Sequence, residues 1–374
     1  MGKIEIKGKL PDPFLKSDGT RMTPDEWWEN REAIRSYIVD FEFGGMPPRP
    51  EEVSMELLTE PYHLCAGNGE WYRITAGSEK KKVSYLLNID VPVVKDKDGR
   101  IVEKKYPVLL TGDGCYRSLE SDTAAEAARR GYVVARFNRL ELANDVKDNR
   151  MGGIYDVYPE NKDFTAISAW AWVYSVVMDV LERLPYADET EVGITGHSRG
   201  GKTVLLAAAV DDRIKYVCPN NSGCHGAVSH RVAVTDQGDN KRRTESLLDM
   251  FNNIPHWMGE KLRPYIGREN EIPYDMHYFG ALIAPRYYVQ FEGMQDYWIN
   301  PVGARANYLA VKECFRYLGC PDHAAAWFRP GGHRQKLPDF CEFMDFMDRS
   351  RAGLPLREHL CIDPYPEIER NFDW

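Results

Sequence analysis

The chain has 374 residues, 43% hydrophobic and 12% aromatic, which is enough to bury a large core in one domain or two. Its formal net charge of −9 argues against nucleic acid, because binding phosphates needs clustered Lys and Arg; Lys104-Lys105 and Lys241-Arg242-Arg243 are short runs that read as solvated loops. No segment approaches the ~20 apolar residues that span a bilayer, and Met1-Gly-Lys-Ile-Glu-Ile lacks the apolar stretch of a signal peptide, so the sequence reads as that of a soluble, cytoplasmic protein without a membrane partner.

Residues 1–60 are rich in Pro, Trp and charge, with an amphipathic stretch around Glu26–Phe41, and read as an arm packed on a main domain of residues 61–374. Trp71–Ala76 and Val83–Val93 flank a Gly-Ser-Glu-Lys turn and predict an antiparallel hairpin. From Pro107 onward short apolar runs alternate with helical patterns. Strands are expected at Pro107–Thr111, Tyr132–Phe137, Glu191–Thr195, Ile214–Cys218, Tyr287–Phe291 and Ala324–Phe328, and helices over Ala124–Arg130, Phe164–Leu184, Lys202–Val210, 302–318 and 338–349. That order implies an α/β fold, a three-layer sandwich with a mostly parallel central sheet and helices on both faces. The stretch 219–285 breaks the rhythm. It is long and irregular, and is expected to form a cap over the C-terminal edge of the sheet, where open α/β sheets bind ligands.

The eight cysteines, at 65, 115, 218, 224, 314, 320, 341 and 361, include no Cys-x-x-Cys pair and read as buried or idle thiols. Cys224-His225 has no second ligand pair at metal spacing, so neither a metal nor any other cofactor is expected.

Gly196-His-Ser-Arg-Gly200 is a Gly-x-Ser-x-Gly element between a predicted strand and a predicted helix. A serine on such a turn needs small neighbours, and the turn aims the free N–H groups of the helix start at a developing oxyanion. The same residues fit the phosphate-loop pattern, as Gly196-x-x-x-x-Gly201-Lys202-Thr203. Three features weigh against that nucleotide-binding reading: several strands precede the loop, no later strand ends in a Mg²⁺-holding acid, and a hydrolytic triad is completed downstream.

Serine needs a base, and the base needs an acid to orient it; in an α/β-hydrolase the chain order is Ser, acid, His. Asp296 follows the strand Tyr287–Phe291, and His333 follows Ala324–Phe328 within Pro330-Gly-Gly-His333. Glu292 is the rival for the acid. Oxyanion donors are expected from the Arg199 backbone N–H and the loop Gly112-Asp-Gly-Cys115. His225, His230, His256 and His277 fall in the cap segment and read mainly as structural. A triad alone does not separate esterase from serine peptidase or amidase.

Leu10-Pro-Asp-Pro-Phe14, Trp27–Pro50, Gly196-x-Ser-Arg-x-Gly-Lys202, Asn220-Asn-Ser-Gly-Cys224, Pro255-His-Trp257, Ala281-Leu-Ile-Ala-Pro-Arg286, Asp296-Tyr-Trp298 and Gly331-Gly-His333 together resemble the glucuronoyl esterases and related acetylxylan-esterase-like α/β-hydrolases. The resemblance implies a cofactor-free serine esterase acting on carbohydrate esters of xylan-type saccharides, either glucuronoyl or acetyl. It makes Ser198 the nucleophile and His333 the base, gives the Arg199 side chain a share of the oxyanion, and suggests Lys202, Asn221 and Trp257 as substrate contacts. Lys202 would reach sugar hydroxyls and Trp257 would stack on the ring. The chain departs from glucuronoyl esterases in carrying His197 where they have Cys and Gly200 where they have Asn. Many of them place the catalytic acid where Asn221 stands, which moves that role to Asp296. His197, Asn220-Asn221 and Pro255-His-Trp257 lean towards the acetyl-esterase-like branch.

Overall fold

The strand–helix alternation folds into a ten-stranded sheet flanked by helices on both faces. This computed structural model describes residues 2–374 apart from 60, 64–66, 96, 100, 102, 117, 118, 120, 148, 162 and 240; Cys65 lies outside the described residues. The chain begins with β1 (Lys3–Ile6) and the helix α1 (Pro24–Phe43), followed by β2 (Glu52–Leu57), β3 (Tyr62–His63) and the long hairpin β4 (Gly67–Gly77) and β5 (Lys82–Pro92). Then come β6 (Tyr106–Thr111), α2 (Ser121–Arg129), β7 (Val133–Phe137), the short α3 (Ile154–Val157), α4 (Ala166–Leu181), β8 (Ala187–His197), α5 (Arg199–Val210) and β9 (Tyr216–Asn220). After β10 (Val232–Thr235), α6 (Leu247–Asn253) and α7 (His277–Ala281), the fold closes with β11 (Tyr287–Gly293), α8 (Pro301–Tyr317), β12 (Ala324–Arg329) and α9 (Leu337–Arg351).

The main path of the sheet is β12-β11-β9-β8-β6-β7-β5-β4-β2, with β3 paired to β4. From β12 to β7 every neighbour is parallel, whereas β5, β4 and β2 add antiparallel strands at one side. Burial follows that division. β6 is covered on both faces, as a strand between two helix layers must be, whereas β4 and β5 alternate between buried and exposed residues. α4 explains its unbroken apolar sequence: every residue except Ser175 and Asp179 is buried. α4, α5, α7 and α8 share the larger core, and α2 and α9 cover the other face through a cluster including Ala127, Phe343 and Met347.

α1 starts at a Thr23–Glu26 capping box with Pro24 in the first turn, and stops at Gly44 in the left-handed conformation, φ 68°. It delivers Glu42 into the interior. There the carboxylate, fully buried, accepts from His225 Nδ1, His230 Nε2 (3.1 Å) and Tyr274 Oη, all contributed by the segment between β9 and β11. Burial alone would raise the Glu42 pKa, but the His230 and His225 charges opposite hold it well below the usual carboxylate range.

The segment expected as an irregular cap is more ordered than its sequence suggests. Its strand β10 pairs antiparallel with β1, from Lys3↔Thr235 to Ile6↔Val232, and a buried Arg231–Asp275 pair at 2.9 Å supports it. A four-residue strand whose partner lies at the start of the chain carries no periodicity of its own to read. No helix among the described residues is long and apolar enough to cross a membrane.

Removing Glu42 leaves two imidazoles and a phenol buried without their acceptor. Glu42→Ala is therefore expected to lower unfolding stability by about 3–5 kcal/mol, read from the urea midpoint. Asp40→Ala, which breaks only the half-exposed pair with Lys261, should change it by less than ~1 kcal/mol. Equal shifts from the two variants would contradict the role given to Glu42.

Candidate active site

β8 ends at His197 and α5 begins at Arg199, so one residue makes the whole turn. That residue, Ser198, has φ 57° and ψ −119°, a backbone region that side chains rarely adopt and that the surroundings must enforce. The glycines show how. A Cβ on Gly196 would lie 2.5 Å from the Gly200 carbonyl oxygen, and one on Gly200 would lie 2.2 Å from Asp113 Oδ1. The Ser198 N–H donates to the Asn220 carbonyl at 2.9 Å, and the Lys202 N–H donates back to the Ser198 carbonyl at 3.2 Å. The hydroxyl thus stands at the head of α5, whose first N–H groups have no intrahelical acceptor.

Asp296 and His333 lie in the loops after β11 and β12, and those loops are joined to each other. Met294 N–H donates to the Arg329 carbonyl at 2.9 Å, Gln295 N–H donates to the Gly331 carbonyl at 3.0 Å, and Gln295 Oε1 accepts from Gly331 N–H. The result is a 2.6 Å bond from His333 Nδ1 to Asp296 Oδ2. The His333 ring packs on His197, the residue before Ser198, with centroids 4.3 Å apart. His197 is kept neutral at pH 7, its pKa lowered to about 4 by burial and then by the His333 charge, and its Nδ1 lies 2.9 Å from Asn220 Oδ1.

Asp296, not Glu292, is the carboxylate that meets the imidazole. Glu292 is fully buried, neither of its oxygens has a hydrogen-bond partner among the described residues, and burial together with the nearby Asp296 charge pushes its pKa well above the carboxylate range. The imidazole Nδ1 is taken by Asp296, and Glu292 makes no hydrogen bond to His333.

All three expected substrate contacts, Asn221, Trp257 and Lys202, are buried and bonded to the protein itself. Asn221 is fully buried behind the acid: its Nδ2 donates to Asp296 Oδ2 at 2.7 Å, and its Oδ1 accepts from Arg329 Nη2 at 3.0 Å. It supports the acid and presents nothing to a ligand. Trp257 is 4% exposed, with its edge on Trp170, its Nε1 on Asp145 and the Arg199 guanidinium over its ring, so it anchors the cap and offers no open face to a sugar. Lys202 is buried as well. Its ammonium donates to the Ser222 (2.6 Å) and Cys224 carbonyls and stands 3.7 Å from Glu245 Oε2. The helix starts immediately after Ser198 and the lysine is held by carbonyls, so the loop is not arranged to cradle a phosphate.

Sequence reasoning missed three residues here. Asp113, in the loop after β6, accepts the His197 N–H at 2.6 Å and pairs with buried Arg139, bracing the turn from below. The Gly112-Asp-Gly-Cys115 loop was a signal, but it had been read for backbone donors alone. Within it the Gly112 and Asp113 N–H groups are already engaged, by Tyr174 Oη at 2.7 Å and Thr111 Oγ1 at 3.2 Å, and Gly114 lies against Phe137 in the antiparallel Asp113–Asn138 bridge. Glu245 and Trp298 are the other two. Trp298 Nε1 donates to Glu245 Oε1 at 3.2 Å, Glu245 N–H donates to the Trp298 carbonyl at 2.8 Å, and Trp298 is 39% exposed two residues after Asp296. The Asp296-Tyr-Trp298 run was visible, but nothing local links it to Glu245.

Comparison with known proteins places the chain in a family. The family described as fungal glucuronyl esterase matches residues 74–319. The chain is 27% identical over 348 residues to 4-O-methyl-glucuronoyl methylesterase 1 of Wolfiporia cocos (strain MD-104), across 91% of this chain and 78% of that one. It is 28% identical over 340 residues to the 4-O-methyl-glucuronoyl methylesterase of Phanerochaete carnosa (strain HHB-10118-sp), across 90% and 77%. Among solved structures, a family 15 carbohydrate esterase, a glucuronoyl esterase from Caldicellulosiruptor kristjansonii, superposes with a TM-score of 0.80 at 25% identity, covering 99% of this chain and 98% of that one. The lean towards acetyl esters rested on His197, Asn220-Asn221 and Pro255-His-Trp257, side chains that are engaged in holding neighbouring residues. The chain belongs to the glucuronoyl esterase family of the α/β-hydrolase fold and is a serine carbohydrate esterase.

Proposed function

We propose that the chain hydrolyses esters made through the carboxyl group of a glucuronic acid, using Ser198 as nucleophile, His333 as base and Asp296 as the orienting acid. The observation that carries this reading is the His333 Nδ1–Asp296 Oδ2 bond beside the strained Ser198 turn. An Nδ1–H directed at a carboxylate leaves Nε2 to accept the hydroxyl proton. Ser198 Oγ attacks the carboxyl carbon as His333 takes its proton. The oxyanion is met by the Arg199 N–H, the Cys115 N–H and the Arg199 guanidinium. His333 then returns the proton to the leaving alcohol. A water, deprotonated by the same imidazole, attacks the acyl-enzyme, releasing glucuronate and restoring Ser198.

For the sugar we propose Glu245 and Trp298 as the contacting residues, with Lys202 behind them. A carboxylate accepts from ring hydroxyls, a half-exposed indole offers a face, and a buried ammonium stands 3.7 Å behind the carboxylate. A glucuronoyl rather than acetyl acyl group is supported by the name shared by the relatives, 4-O-methyl-glucuronoyl methylesterase.

Offered methyl 4-O-methyl-glucuronate beside an acetylated xylo-oligosaccharide, the protein is expected to release glucuronate in preference to acetate, and Ser198→Ala to cut that rate at least about a thousandfold. Preferential acetate release overturns the acyl assignment; full turnover by the alanine variant overturns the nucleophile. Asp296→Asn should lower kcat by about 10⁴-fold. Glu292→Gln, which keeps the shape of a side chain that makes no bond to His333, should leave kcat nearly unchanged, and the opposite ranking would exchange their roles.

A further inference from the structure

We propose that Asp145 is a positioning residue for catalysis: it seats the Arg199 guanidinium beside the Ser198 oxyanion and thereby supports turnover more than substrate affinity. This rests on the reading of Ser198 as nucleophile. Arg199 is the first residue of α5, directly after Ser198, and its side chain is 35% exposed. A side chain with ~2 kcal/mol of rotamer entropy, left to itself at a helix start, would spread through solvent. Asp145, in the stretch after β7, prevents that.

Three donors from two parts of the chain, the head of α5 and the His256-Trp257 pair, converge on its carboxylate. Arg199 Nη1 pairs with Oδ2, while His256 Nε2 at 2.9 Å and Trp257 Nε1 at 2.7 Å both reach Oδ1. The guanidinium plane is fixed as well, with Arg199 Cζ 4.8 Å from the Trp257 centroid and 5.6 Å from that of Tyr116. The arrangement uses one edge of the guanidinium and leaves the Nη2 edge, which has no partner among the described residues, for a substrate oxygen. Burial opposes ionisation of Asp145, but His256, Arg199 and Trp257 together lower its pKa to about 2, so it is charged throughout the neutral range. The far side of the clamp is anchored too: the Trp257 carbonyl accepts from His225 Nε2 at 2.9 Å, and His225 Nδ1 is held by Glu42. The cap and the N-terminal helix thus set where a catalytic cation stands.

The test is a double-mutant cycle on methyl 4-O-methyl-glucuronate. Arg199→Ala should lower kcat about 10²-fold, and Asp145→Asn about tenfold with KM changed less than about twofold. The double variant should match Arg199→Ala alone, because Asp145 acts only through the guanidinium. Millimolar guanidinium should restore part of the kcat of Arg199→Ala and none of that of the double variant, which lacks the carboxylate to seat it. Losses that multiply, a defect confined to KM, or equal rescue of both overturns the proposal. If the thermal midpoint shows Asp145→Asn to be unfolded, Trp257→Phe, which deletes the indole N–H and keeps a ring, enters the same cycle: a loss that disappears in the Arg199→Ala background supports the clamp, and a multiplying loss overturns it. Activity surviving in Ser198→Ala would instead defeat the underlying nucleophile assignment, which the cycle does not measure.

Discussion

The close crossing of β8 and α5 is the constraint on which the site depends. A methyl group on Gly196 would run into the first turn of α5 and one on Gly200 into the Asp113 carboxylate, and the single residue between strand and helix takes φ 57°. Strain of this kind costs on the order of 1–3 kcal/mol and persists only where the surroundings over-determine it. Here those surroundings are specific: the Asn220 carbonyl on one side, Asp113 on the other, and Arg139 neutralising Asp113 from below. Gly200 stands where related enzymes are expected to carry Asn, and the Asp113 carboxylate fills the space that side chain would need. The hydroxyl, the helix N–H groups and Arg199 all take their places from this turn.

Around it, charge is handled by pairing inside the protein. Arg139 with Asp113, Arg329 with Asp339, Arg231 with Asp275 and Glu42 with two histidines are all buried pairs. Such groups are poor sources of net stability but costly to break singly, so they specify one arrangement of loops that otherwise lack regular structure. Arg329 is instructive. It reaches Asn221, the Arg334 carbonyl and Asp339, and so holds the loop carrying His333 against the element that supports Asp296.

What could be read from the sequence follows the range of the interactions. The Gly-x-Ser-x-Gly turn is a local backbone requirement and is written in five consecutive residues. Asp296 and His333 were legible because parallel α/β topology puts the ends of successive strands on one edge, so chain order substitutes for distance. The strands and helices of the sheet were legible from periodicity for the same reason. Asp113, Asp145 and Glu42 were not, because each acts through a partner far along the chain; Glu42 and His225 are 183 positions apart. Trp257 and Asn221 misled in a complementary way. An indole or an amide in a cap loop can face substrate or face the core, and only tertiary packing decides. Here both bond to carboxylates behind the reacting groups. β10 was hidden because its register partner is β1, at the start of the sequence.

The most direct measurement of the central claim is covalent labelling of the native protein with a fluorophosphonate, followed by mass mapping of the modified peptide. The account predicts a single adduct on Ser198, formed quickly in the native protein and lost when His333 is replaced by Ala. An adduct on another residue, or labelling of Ser198 that proceeds unchanged without the imidazole, would contradict it.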